Sequence, residues 1–143
     1  MLFIRGEVYY IKNARMDKKA LLFNNTLAHP LVAGLLTRTG FGVDLAPDFE
    51  TGLRQLEIQA YDIAVVLESH GSESWQLCQK IRSLTTIPLI VISTNASPDT
   101  CTRAIDAGAD YFMRKPFGPL EFLARVNCLL QRSSLRQAVP VGP

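Results

Sequence analysis

The stretch Asp62-Ile63-Ala64-Val65-Val66-Leu67 constrains this chain more than any other: one polar residue, then five apolar ones rich in β-branching, with polar residues on both sides. A strand with one wet face alternates apolar and polar residues. A run that is apolar at every position reads as a strand buried on both faces, as in the middle of a parallel sheet covered by helices. In such a sheet the ligand or reaction crevice lies beyond the carboxyl ends of the strands, so Leu67, Glu68, Ser69 and His70 carry the functional information. A leucine at that exit has no nucleophile, no metal-binding oxygen and no proton to move.

The flanking segments supply the rest of such a sheet. Ala20-Leu21-Leu22-Phe23, ending in Asn24-Asn25-Thr26, is expected to be the first strand of the main domain. Pro30 to Thr39 carries Leu31, Val32, Leu35 and Leu36 at helical spacing and stops at Gly40. Gly42 to Ala46 is a second strand, and Asp48 caps a helix whose Phe49, Leu53 and Leu56 form one stripe. After the central strand, a polar loop with Gly71 leads to a helix capped by Ser72 or Ser74 and bearing Leu77, Cys78 and Ile81. Pro88 to Ser93 is again apolar on both faces, and Ser97-Pro98 opens a fourth helix that ends at Gly108. Asp110 to Met113 is a fifth strand and Pro119 to about Arg132 a last helix. Five strands alternating with five helices through short loops predict an α/β, single-domain, doubly wound five-stranded parallel sheet, over residues 20–132.

The two ends read differently. Residues 1–19 form an N-terminal extension in which Leu2-Phe3-Ile4 and Val8-Tyr9-Tyr10-Ile11 flank Arg5-Gly6-Glu7: a small hairpin, an added edge strand or an upstream segment. Residues 133–143 lose periodicity and gain proline and glycine, as a linker or tail would.

A chain of 143 residues can bury one sizeable core without covalent staples. Its 15 basic and 13 acidic residues leave a net charge of only +2, and the basic residues are scattered, which gives no electrostatic basis for nucleic-acid or membrane binding by this segment. Cys78, Cys101 and Cys128 are odd in number and unlike zinc-site spacings; each falls in an expected helix, and they read as reduced, partly buried thiols of a cytoplasmic protein. No apolar run approaches the roughly 18 residues of a membrane span, and Met1 to Ile11 lacks the pattern of a secretory signal.

Ala107-Gly108-Ala109-Asp110-Tyr111-Phe112-Met113-Arg114-Lys115-Pro116-Phe117, followed by Glu121-Phe122-Leu123-Ala124-Arg125, closely resembles the end of response regulator receiver domains, in the form of the OmpR/PhoB winged-helix subfamily. The resemblance runs from about Ala20 to Arg132 and takes in Asp62, Cys78, Ile81-Arg82 and Ile87-Pro88. It implies the CheY-like, flavodoxin-like (βα)5 fold, the same element order as the periodicity predicts. It also implies five chemical positions: two acidic residues after the first strand that hold Mg²⁺, an aspartate ending the third strand that takes a phosphoryl group, and a Ser/Thr and a Lys that bind its oxygens. Here the acidic pair falls on Asn24 and Asn25, the acceptor on Leu67, and only Ser93 and Lys115 match. A hard divalent cation wants carboxylates and a phosphoryl acceptor must itself be one, so the resemblance implies a degenerate phosphorylation site with no metal, no cofactor and no catalysis.

A one-residue slip would put Glu68 at the acceptor, but a slip turns every side chain of the strand to the opposite face, and counting forward from Asp62 selects Leu67. Simpler roles are open to the remaining candidates: Lys115 satisfying strand-end carbonyls, Ser93 as a small residue ending a strand, His29 and His70 as solvated loop residues, Trp75 packing near a helix start. Asn24-Asn25-Thr26 has no glycine to bring amides near a phosphate, which argues against flavin binding.

The function implied is a phosphorylation-independent receiver that regulates and dimerises a DNA-binding transcription factor, with DNA contacted only through a C-terminal domain outside this chain. The alternative is a stand-alone pseudo-receiver adaptor binding a protein or small ligand. The subfamily pairs two receivers through the fourth helix, fifth strand and fifth helix. On that face Ile105, Asp106, Leu120, Glu121, Leu123, Arg125 and Leu130 are expected to form the homodimer interface, with Phe122, Val126 and Leu129 facing the sheet and Leu123 and Leu130 pointing outward. The ion-pair partners of Asp106, Glu121 and Arg125 fall on the uncharged Asn127, Cys101 and Tyr111. The Lys115-Pro116 peptide is expected to be cis, as is usual in the family.

Overall fold

Apolar runs of the kind just described pair with one another, and their pairing builds the sheet. In the computed structural model, residues 2–4, 7–9, 18–24, 30–68, 74–94 and 97–138 are described, with side chains for 18–23, 31–68, 74–94 and 97–133. The elements are β1 (Leu2–Ile4), β2 (Glu7–Tyr9), β3 (Lys18–Asn24), α1 (Pro30–Arg38), β4 (Phe41–Ala46), α2 (Phe49–Ile58), β5 (Ile63–Glu68), α3 (Ser74–Leu84), β6 (Leu89–Ser93), α4 (Pro98–Asp106), β7 (Tyr111–Arg114) and α5 (Pro119–Ala138). Strands β3 to β7 form one five-stranded sheet in the order β4-β3-β5-β6-β7, every pair parallel. The chain therefore has the expected doubly wound α/β, CheY-like fold. β1 and β2 pair antiparallel as a separate two-stranded hairpin, the first of the three readings of the extension.

β5 is central and all six of its residues are buried. Its alternate side chains feed two cores. Ile63, Val65 and Leu67 join Leu22, Ile90 and Ile92 under Val32 and Leu36 of α1 and Phe122 and Val126 of α5. Ala64 and Val66 join Leu21, Phe23 and Val91 under Leu56 of α2 and Leu77, Cys78 and Ile81 of α3. Each such aliphatic side chain contributes about 1.5–3 kcal/mol when fully buried, so a polar residue at any of these positions stands out.

The helix starts follow their caps. Asp48 Oδ1 accepts the Thr51 amide at 2.7 Å and Ser97 Oγ that of Thr100 at 3.2 Å, with Pro98 at the first helical turn. α2 lies so close to the sheet that a Cβ on Gly52 would stand 2.3 Å from the Phe23 ring. α4 ends at Gly108, whose φ of +119° suits glycine alone, and its carbonyl takes the Nε–H of Arg82 at 2.7 Å. Arg82 also donates to the Ile87 carbonyl at 2.5 Å and pairs with Asp110, whose carboxylate accepts the Leu89 amide at 2.8 Å. One guanidinium thus ties the end of α3, the start of β6 and the turn before β7.

Several boundaries move. β3 begins at Lys18, not Ala20, because both lysines pair with β4, Lys18 with Phe41 and Lys19 with Gly42, while Lys19 N–H donates to the Asp62 carboxylate at 2.8 Å and Asp62 N–H to the Lys19 carbonyl at 2.8 Å. α5 runs on to Ala138 instead of stopping near Arg132, so the expected tail is in part helix. Residues 131–138 contain no glycine or proline, whereas Pro140 disfavours helix at the residue before it.

Candidate functional site

The carboxyl ends of β3, β5, β6 and β7 lie side by side. The register sets Asn24 beside Leu67, Leu67 beside Ile92, Glu68 beside Ser93 and Ser93 beside Arg114. Four of the five expected positions are thereby ordered around one sheet edge. Asn25 lies outside the described residues, as do His29, Ser69, His70, Gly71 and Ser72, and of Asn24 only the backbone is described. Lys115 follows β7, its N–H donating to the Ser93 carbonyl at 3.0 Å, and the Lys115-Pro116 bond is cis as expected. Phe117 then turns inward, its ring 5.8 Å from that of Phe122.

Leu67 is 1% exposed and packs in the core under α1 and α5. Glu68 points to the opposite face of β5 and is 5% exposed, with Oε2 buried and accepting no hydrogen bond among the described residues. Sequence reasoning weighs Glu68 as a slipped acceptor or as a hydrogen-bond partner for Lys115 and misses this burial; the sixth consecutive position of a doubly buried strand is the available signal. Glu68 lies near Cys78: burial chiefly pushes that thiol up to about 12, the Glu68 charge adding to the shift and Arg82 opposing it. Ser93 is fully buried. Lys115 is half-buried, and burial lowers the pKa of its ammonium from the ordinary lysine value. Both Ser93 and Lys115 are engaged within the chain. Among the described residues no three His, Cys, Asp or Glu side chains are grouped so as to hold a metal ion.

The expected partner face is only partly as drawn. Leu120 is 81% and Ile105 43% exposed, and Asp106 and Glu121 are exposed. Phe122, Val126 and Leu129 are buried as expected. Leu123 and Leu130, however, do not point outward: both are half-buried against the core under α5. Each sits one residue, about 100° of helix, round from the central stripe, so it covers the flank of the core. Arg125 is also not free at the rim, since its guanidinium lies 3.9 Å above the Tyr111 ring in a cation–π contact. Nearby, Trp75, Gln79, Arg103, Asp106 and Ala107 line an open groove of about 260 Å³ between α3 and α4. All three cysteines are free, Cys78 buried and Cys101 and Cys128 half-buried. No helix among the described residues is long and apolar enough to cross a membrane.

Comparison with known proteins agrees with this geometry. The family model described as "Response regulator receiver domain" matches residues 24–127. The chain is 34% identical over 98 residues to the transcriptional regulatory protein CseB of Streptomyces coelicolor, 68% of this chain and 42% of that protein. It is 32% identical over 108 residues to the response regulator ArlR of Staphylococcus epidermidis, 75% of this chain and 49% of that protein. It thus spans less than half the length of these curated relatives. A CheY-like receiver domain from Methanospirillum hungatei superposes with a TM-score of 0.74 at 22% identity, covering 83% of this chain and 98% of that one. With a parallel five-stranded sheet, a carboxyl edge built by Leu67, Ser93 and Lys115, and a family match spanning most of its length, the chain belongs to the response regulator receiver domain family.

Proposed function

We propose that this chain is a phosphorylation-independent receiver of the OmpR/PhoB winged-helix kind, the regulatory and dimerising module of a cytoplasmic DNA-binding transcription factor. The observation that carries the reading is Leu67, 1% exposed at the end of β5, where the family resemblance requires a carboxylate. A phosphoryl group is accepted by an oxygen nucleophile and a hard cation is held by oxygens, and a buried leucine offers neither. The adjacent carboxylate, Glu68, faces away, and bringing it round would reverse both packed faces of β5. The Mg²⁺ site of the family does not fit this edge. Incubation with Mg²⁺ and acetyl phosphate is expected to leave the intact mass unchanged; an adduct of one phosphoryl group overturns the reading.

Without phosphoryl chemistry the output has to be standing association. The exposed Ile105 and Leu120, with Asp106 and Glu121 around them and Leu123, Arg125 and Leu130 on the flank, form the homodimer face of α4, β7 and α5. Its core is apolar, so the dimer is expected to persist as salt rises to about 1 M, where screening removes exposed ion pairs. Leu120→Asp is expected to shift the solution mass toward monomer, and an unchanged mass would exclude this face.

A further inference from the structure

The opposite edge of the sheet carries an unguarded strand. Natural edge strands are kept single by lysines, prolines, bulges or very short length. β4 runs six residues, Phe41-Gly42-Val43-Asp44-Leu45-Ala46, with no lysine, arginine or proline, and its only strand partner among the described residues is β3. Its register with β3 is unbroken from Phe41 to Ala46, so no bulge twists the edge away. Its one charge is turned aside: Asp44 Oδ2 accepts the Tyr61 hydroxyl at 2.6 Å. Leu45 is 57% exposed. α1, which packs on β4, adds Leu31 at 53% exposure and, one turn on, Gly34, beside which a Cβ would meet no atom within 4 Å.

We infer that this edge pairs with β4 of a second copy, antiparallel about a two-fold axis at Val43, so that one sheet continues through two protomers. The side chains select that register. Residues directly opposite in an antiparallel pair share a face of the sheet. Centred on Val43, Leu45 lies opposite the partner's Phe41, Val43 opposite the partner's Val43, and Asp44 opposite the partner's Gly42. Phe41 and Val43 already belong to the core under α1, so the apolar pairs extend that core across the axis. Centring on Asp44 would set two carboxylates against each other, which is destabilising. Centring on Gly42 would leave Leu45 beyond the partner strand's first residue, Phe41.

Both this contact and the α4-β7-α5 face are isologous, and they lie at opposite edges of the sheet, so together they join protomers into assemblies larger than two. The β4 inference does not rest on the other face. The test is sedimentation equilibrium of the full chain over a wide concentration range, where the wild-type mass is expected to rise with concentration. Leu45→Lys places a guarding charge at an already exposed position; it is expected to raise the concentration needed for association at least about 10-fold, ending at dimer where the other face holds and at monomer where it does not. Ile58→Lys, at an apolar residue 76% exposed on α2, is the control and should leave the mass unchanged. In a Cys101→Ser, Cys128→Ser background, Val43→Cys should give a covalently linked dimer with a short bifunctional thiol cross-linker, because opposed Cβ atoms lie about 4.5–5.5 Å apart. Adding Leu45→Lys should abolish it. A wild type that stays monomeric, a Leu45→Lys variant with unchanged association, or a Val43→Cys variant that does not cross-link overturns the inference.

Discussion

Replacing Glu68 should make this protein more stable, an unusual expectation for a residue 5% exposed in the middle of the sheet. Among the described residues it is the only charged side chain in the buried set. Its Oε2 accepts no hydrogen bond, and the face it enters is lined by Ala64, Val66, Leu77 and Cys78. A buried acceptor left unpaired costs about 1–3 kcal/mol, and more when it carries charge. Methionine has the same unbranched length, adapts its shape and brings no acceptor to satisfy. Glu68→Met is therefore expected to raise the unfolding free energy by about 1–3 kcal/mol, which at about 3 °C per kcal/mol for a domain of this size is roughly 3–9 °C in Tm. Glu68→Gln keeps a polar group at the Oε2 position, so its gain should be smaller. Urea titration should show a higher midpoint at unchanged slope, the signature of a change in stability and not in compactness. Loss of stability in Glu68→Met would refute the reasoning, because it would mean that the carboxylate has a partner more favourable than apolar packing.

Other consequences follow from particular contacts. Arg82→Ala removes the donors to the Gly108 and Ile87 carbonyls and the pairing with Asp110, and should cost about 2–3 kcal/mol in chemical denaturation; Arg82→Lys should recover little of it, since an ammonium cannot span the same acceptors. Gly52→Ala drives a Cβ toward the Phe23 ring and Ala46, and should cost about 1–3 kcal/mol, against the gain that alanine normally brings to a helix. A maleimide at neutral pH should label Cys101 and Cys128 but not Cys78, whose thiol is buried and pushed up to about 12; rapid labelling of all three in the folded protein would contradict its burial. Because the folded pKa of Cys78 lies above its ordinary value of 9.0, its contribution to stability is complete below about pH 9 and is lost as pH rises toward 12. Tyr61, raised first by burial and then by its hydrogen bond to Asp44, acts in the same direction, so alkaline titration should weaken the fold, and flat stability between pH 9 and 11 would argue against both shifts.

Much of this molecule is legible in the sequence because its strongest signals are local. The doubly apolar runs at Ile63 to Leu67 and Leu89 to Ile92, the caps Asp48 and Ser97, and the stops at Gly40 and Gly108 each depend on neighbours within a few residues, and the structure keeps all of them. The buried leucine at the end of β5 follows from the same count of positions. What the sequence leaves open depends on residues far apart in the chain. Lys18 and Lys19 look like a polar leader until β4, from Phe41 on, and Asp62, 43 residues beyond Lys19, take them into the ladder. Arg82 and Asp110, 28 residues apart, show no periodic relation, and only the packing of α3 beside β6 and the turn before β7 brings them together. Leu123 and Leu130 sit on the border of a helical stripe, where spacing gives an angle but not how far the neighbouring surface reaches, and that reach decides that they are half-buried. The sequence by itself determined the element order, the two-faced core and the buried leucine near the end of the central strand, because period and composition are properties of short segments. Only the tertiary structure decided that Glu68 Oε2 has no hydrogen-bond donor among the described residues, that Arg125 is held by Tyr111 and that β4 has no second strand partner among the described residues, because partners depend on which distant segments come to lie alongside.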